Sequence, residues 1–220
     1  MPIAKAMKSK VLNAYMTSRT RLNPEQRKQQ LLEAAVNVFA KRGIGRAAHA
    51  DVAEASGVSV PTVFNYFNTR EDLVDAVLQK VESFFLDFAK EYHQQDSALK
   101  NPVSTLQKHS FSFLKMAQQH PDIVTIWLEW SASVRDDSWP KYIAFLDKVL
   151  DIIEPTIQSG LDKGQMVSQL SARDLARILF GQAHPVTLAY FAPNPPIQDM
   201  MKFVQLGMNA LLGIQEQPQE

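Results

Sequence analysis

The chain has 220 residues, 45% hydrophobic content and no cysteine. That is enough to bury a core in one domain or two small ones, and it excludes a disulfide framework and thiolate chemistry. The formal net charge of zero hides an asymmetry: residues 1–70 hold 11 Lys and Arg against 4 Asp and Glu, whereas residues 71–220 hold 12 against 19. A polyanion would attract the basic third by counterion release and be held off by the acidic remainder, although basic N-termini are also common as solvated tails.

No apolar run approaches the ~20 residues of a membrane span, and no secretory signal is visible behind the basic N-terminus. Asn23 and Pro24 read as the N-cap and first position of a helix to about residue 42, with Leu31, Leu32, Ala35 and Phe39 on one face and Gly43 as its stop. A short second helix is predicted over about 48–56, with Val52 and Ala53 inward and Gly57 closing it. Ser59 caps a third, over 59–67. Val63, Phe64 and Phe67 supply its apolar anchor, while Pro61, Thr62, Asn65 and Tyr66 offer small and polar groups on another side.

Thr69 and Asp72 stand at capping-box spacing, with Asp in place of Glu or Gln, before a linking helix to about residue 92 that carries Leu73, Val74, Val77 and Leu78. Further helices are predicted near 102–119, 121–133, 139–161, 171–191 and 197–214, and Pro185 predicts a kink in the fourth of these. No strand signal competes. The chain therefore reads as all-α with about nine helices. A basic tail over 1–18 precedes a three-helix unit over 19–68 and a larger helical unit over 69–220.

Three helices joined by Gly-bearing turns within some 45 residues match the size of a helix-turn-helix module, whose last helix enters the DNA major groove. Catalysis finds no support. His49, His93, His109, His120 and His184 show no metal-ligand spacing, and no metalloprotease, nucleophile-elbow or phosphate-loop pattern occurs. No cofactor and no metal are expected.

The pattern from Gln29 to Val77, above all VSVPTVFNYFNTREDLV, resembles the TetR family of bacterial transcription regulators. Within that family the run from Arg19 to Val60, the FNYF and TREDLVD motifs and the segment WLEWSASVRDDSWP resemble the Vibrio-type quorum-sensing master regulators, the LuxR, HapR and SmcR group. The resemblance is dense from Arg19 to about Pro140 and thinner beyond. It implies an N-terminal helix-turn-helix DNA-binding domain, a C-terminal dimerisation and ligand domain, and a cytoplasmic protein held on the nucleoid.

The family's recognition helix falls on 59–67. The resemblance puts Ser59, Thr62 and Tyr66 at positions that touch the phosphate backbone, and Asn65 at a polar position near the groove. An Asn amide suits an adenine edge, and Val60 or Pro61 suits a thymine methyl. Tyr66 has the alternative of a satisfied surface hydroxyl. Many family members carry Tyr where Phe64 stands, and the quorum-sensing group shares the Phe. Arg19 and Arg21 match an arginine arm of that group, a feature suited to a narrow minor groove. MTSRTRLNP also resembles the beginning of such proteins, which makes Met16 an alternative start to Met1.

Trp127 and Trp130, three residues apart, share a helix face. Aromatics at this spacing usually fill a core; the alternative is a pocket for a small apolar ligand lined by Phe113, Met116, Trp127, Trp130, Leu179, Phe180 and His184. The resemblance further implies a homodimer packed through the last two long helices. Leu175, Ile178, Leu179, Val186, Phe203, Val204, Leu206, Met208, Leu211 and Leu212 are its apolar candidates, and the same stripes suit an intramolecular core.

The function expected is a homodimeric regulator, repressing or activating from pseudo-palindromic promoter sites on double-stranded DNA in quorum-sensing control. A ligand-responsive repressor of a local operon is the alternative, and a helical small-molecule binder without DNA function the third reading.

Overall fold

Helix α1 (Pro24–Arg42) starts with a reciprocal cap. The Asn23 carboxamide accepts the Gln26 N–H at 2.8 Å, and the Gln26 side chain accepts the Asn23 N–H at 3.0 Å. It stops at Gly43, whose φ of 88° is open to glycine and rarely to other residues. The computed structural model describes residues 22–193 and 197–214, and within them all regular structure is helical.

Helices α2 (His49–Ser56) and α3 (Val60–Phe64) complete the N-terminal unit, and α4 (Arg70–His93) leads out of it. Thr69 and Asp72 cap α4 reciprocally, each bond 3.0 Å long, so aspartate performs the role usually given to Glu or Gln. At about 1.5 Å per residue α4 runs about 36 Å, which carries one rigid element from the N-terminal unit deep into the rest of the chain. The remainder comprises α5 (Asp96–Lys100), α6 (Pro102–Gln119), α7 (Pro121–Ala132), α8 (Trp139–Asp162), α9 (Ala172–Gly181), α10 (Ala183–Tyr190) and α11 (Ile197–Leu212).

Eleven helices in the described residues exceed the predicted nine for two physical reasons. Residues 96–100 form one extra turn, too short for any periodicity to register. The helix predicted over 171–191 is broken at Gln182. Pro185 explains the position of the break: its ring lacks an N–H and crowds the carbonyl four residues back, which belongs to Gly181.

A continuous core runs through the molecule. Leu31, Phe39, Val52, Val63 and Phe67 fill the N-terminal unit, and the buried face of α4 continues them into Trp127, Phe145 and Leu150. The N-terminal unit is thus packed onto the rest, and α7 is its main partner there. Asn37 donates to Asp122 at 2.9 Å, and the Glu129 carboxylate accepts the Ile44 N–H at 2.9 Å.

Candidate nucleic-acid interface and ligand cavity

The third helix is shorter than predicted. Regular α geometry ends at Phe64, but the Asn65 and Phe67 N–H groups still bond to the Pro61 and Val63 carbonyls, so turns carry the chain to Phe67. Ser59 sits at the N-cap without a side-chain cap bond; its hydroxyl pairs instead with that of Thr62 at 2.8 Å. Val63 and Phe67, four residues apart, point into the core. Phe64, expected among the anchors, lies 43% exposed. One step beyond Val63 turns it about 100° away from the core, and it stacks on the His49 ring at 3.9 Å.

His49 also ties the segment over 59–67 down from beneath. Its Nε2 lies 2.7 Å from the Phe67 carbonyl, which can only accept, so Nε2 carries the proton and donates. On the outer side Ser59, Val60, Pro61 and Asn65 are exposed, with Thr62 and Tyr66 half-buried at the edge. The arrangement presents a small, mixed polar and apolar surface on a stiff support. Arg46, in the turn before α2, is exposed and in no ion pair among the described residues; the sequence reading passed over it because a lone turn arginine carries no pattern. Arg19, Arg21 and both candidate starts lie outside the described residues.

A cavity lies between α4, α6, α8 and the α9–α10 break, with about 660 Å³ of atom-free space counting its open mouth. Of the seven residues proposed from sequence, Phe113, Leu179 and Phe180 line it. Trp127 stands directly behind, fully buried, with its ring edge-on to Phe113 and Phe180. His184 lies against Trp127 at 4.3 Å and bonds to the Ser131 hydroxyl at 2.8 Å, away from the cavity wall.

Trp130 belongs to the core. It stacks on Phe145 at 5.5 Å and donates its indole N–H to the Ser138 carbonyl, because three residues advance a helix by 300° and leave the two tryptophans 60° apart. Met116 opens on a separate groove between α4 and α6 that also includes Lys80, Lys115 and His120.

The sequence reading missed Phe85, Phe88 and His109 in the wall. His109 Nδ1 lies 2.8 Å from His93 Nε2, and His93 Nδ1 lies 2.9 Å from the Thr156 hydroxyl. Burial lowers the His93 pKa to about 4 and, together with the neighbouring His93, that of His109 to about 3. Both rings are therefore neutral near pH 7. Among the described residues no group of His, Asp or Glu is placed to hold a metal ion, and no helix is long and apolar enough to cross a membrane.

The apolar candidates of the last helices divide by face. Leu175, Leu179, Val186, Val204, Met208 and Leu212 are buried within the chain, and Leu211 packs partly against the same core. Ile178, Phe203 and Leu206 are 43%, 52% and 50% exposed, and Leu188, Phe191 and Met201 are exposed with them.

Residues 31–77 match the family described as bacterial regulatory proteins, tetR family. The chain is 38% identical over 168 residues to the HTH-type transcriptional regulator LuxR of Vibrio harveyi, an alignment covering 76% of this chain and 80% of that protein. It is 30% identical over 205 residues to the HTH-type transcriptional regulator TtgR of Pseudomonas putida, covering 89% and 96% respectively. Among solved structures, that of Thermus thermophilus FadR, a TetR-family repressor in complex with lauroyl-CoA, is similar with a TM-score of 0.60 at 18% identity, covering 88% of this chain and 98% of that one. With its helix-turn-helix unit, its helical remainder and these relatives, the chain belongs to the TetR family of bacterial transcriptional regulators.

Proposed function

We propose that the protein acts in the cytoplasm as a homodimer that binds pseudo-palindromic promoter sites and regulates transcription in quorum-sensing control. The observation that carries this reading is the 38% identity to the Vibrio harveyi regulator across most of both chains. In it, residues 19–68 form the DNA-reading unit, and the rest of the chain serves dimerisation and ligand binding. Two copies of the reading element, about one helical turn or ~34 Å apart, engage the two half-sites. Asn65 reads a base edge, Val60 and Pro61 lie against apolar groups in the groove, and Ser59, Thr62 and Tyr66 hold the phosphates. Arg19 and Arg21 add minor-groove contacts.

The exposed apolar residues of α9, α10 and α11 support dimerisation through these helices, where packing of a second copy would take those side chains out of water. The cavity behind Phe113 and Phe180 is the ligand site of this reading, and occupancy acts by favouring one separation of the two readers. Selection of duplexes from a random DNA pool at near-physiological salt tests it. A two-fold-symmetric consensus supports the proposal; enrichment of nothing, with or without a ligand, overturns it.

A second reading, a ligand-responsive repressor of a local operon, is favoured by the cavity, which offers a site for a small molecule that controls DNA binding. Transcript profiles of a deletion strain at low and high cell density separate the two. A broad, density-dependent change supports quorum sensing, and a change confined to neighbouring genes supports the repressor.

A further inference from the structure

The fourteen residues lining the cavity include no Asp, Glu, Lys or Arg; the wall is aliphatic and aromatic apart from His109, Ser110 and Gln182. An ionised group carried past the open mouth to the inner wall of such a site leaves water without meeting a counter-charge, and that cost far exceeds what a few neutral hydrogen bonds return.

The proton positions along the histidine chain follow from its partners. Thr156 is fully buried, and among the described residues its hydroxyl has one hydrogen-bond partner, His93 Nδ1. If His93 donated to it, the hydroxyl proton would be left buried without an acceptor. The satisfied arrangement has Thr156 O–H donating to His93 Nδ1, and therefore His93 Nε2–H donating to His109 Nδ1. His109 then carries its own proton on Nε2. That nitrogen has no hydrogen-bond partner among the described residues. The His109 side chain lines the cavity, so an occupant of that space is the natural partner for this nitrogen. Stacking on Tyr92 and contact with Phe88 fix the ring in that position.

We propose that the cavity takes an uncharged, mostly apolar molecule carrying one hydrogen-bond acceptor, such as a carbonyl oxygen, and that His109 Nε2–H is the donor that receives it. Phe85, Phe113 and Val186 enclose the apolar body, and His93 and Thr156 fix the His109 tautomer. This inference rests on the reading of the cavity as a ligand site.

Three slender probes of similar size test it on the full-length protein: benzylacetone with a neutral carbonyl, butylbenzene with no acceptor, and phenylbutyrate with a carboxylate. Binding is followed by titration calorimetry and by the fluorescence of Trp127, which abuts the wall residues Phe113 and Phe180. Benzylacetone is expected to bind ~5-fold more tightly than butylbenzene, a factor within the net range of one hydrogen bond, with phenylbutyrate weakest. His109→Phe keeps an aromatic ring against Tyr92 and is expected to abolish the ketone's advantage while butylbenzene still binds.

Tighter binding of phenylbutyrate than of benzylacetone, or an advantage that survives His109→Phe, overturns the assignment of ligand class and leaves the ligand site standing. If none of the three binds and Ala183→Phe, which fills the cavity, leaves regulation unchanged in cells, the ligand-site reading fails and this inference falls with it.

Discussion

The Glu129 carboxylate of α7 accepts the backbone N–H of Ile44, 85 residues earlier in the chain, at 2.9 Å. The same residue's carbonyl is held from the other side by the Arg70 guanidinium at 2.5 Å. Both backbone polar groups of Ile44 are thus satisfied by side chains, which anchors the turn between α1 and α2 to the start of α4 and to the helix that carries Trp127.

Glu129→Ala leaves the part-buried Ile44 N–H without its acceptor. A loss of about 1 to 3 kcal/mol of stability is expected, together with weaker DNA binding, because the reading unit loses part of its seat. A thermal unfolding scan and a DNA titration check this. Glu129→Gln retains an acceptor oxygen and is expected to recover most of both; equal damage from the two variants would show that the negative charge matters and the N–H bond does not.

Asn65 and Arg21 are expected to fail differently. Asn65→Ala should cost roughly 1 to 3 kcal/mol on the preferred duplex and little on a scrambled one, since an amide bonded to a base edge reads sequence. Arg21→Ala should weaken both duplexes and lower the slope of log affinity against log salt by about 0.9, the signature of one lost phosphate neutralisation. Titrations of both duplexes at several salt concentrations separate the two roles. Parallel losses from Asn65→Ala on cognate and scrambled DNA would remove it from base reading.

What was legible in the sequence was local. Asn23 with Pro24 and Gln26, Thr69 with Asp72, and Gly43 and Gly57 are punctuation that acts within four residues, and the helices they bound lie within a residue or two of prediction. The TetR-type pattern over 31–77 is equally local. The cavity was legible only in part, because its wall is assembled from helices far apart in the chain. The spacing of Trp127 and Trp130 suggests a shared role, yet 60° of rotation sends one toward Phe180 and the other into the stack with Phe145. The pairing of His93 with His109 spans two helices, and no motif announces it.

The division of apolar residues on the last helices yields a third expectation. Phe203 and Leu206, both about half exposed, sit on the opposite side of α11 from the fully buried Met208 and Leu212. Glutamate at either exposed position costs the folded chain little, because the carboxylate remains in water, but burying it in a dimer is costly. Phe203→Glu and Leu206→Glu are expected to fold with normal helicity, sediment as monomers and bind a full site far more weakly. A dimer that persists in both variants would place the interface elsewhere.

The buried histidine pair sets the last expectation, a pH dependence of stability. His93 is lowered to about 4 by burial, and His109 to about 3 by burial and by its neighbour, whereas in the unfolded chain both have the ordinary value of 6.5. Well above pH 6.5, from about pH 7.5, neither state is appreciably protonated and the pair contributes almost no pH dependence. Below 6.5 the unfolded chain binds protons that the folded chain refuses, so stability falls with pH until the folded pKa values are reached. Between pH 6.5 and 5, before most carboxylates titrate, the loss is on the order of 2 kcal/mol per histidine. The unfolding midpoint is expected to drop across that window in the native protein, and to drop less when both positions are changed to glutamine, which keeps hydrogen-bonding groups but takes up no proton. Identical pH profiles for the native protein and the double variant would show that the two rings do not control acid sensitivity.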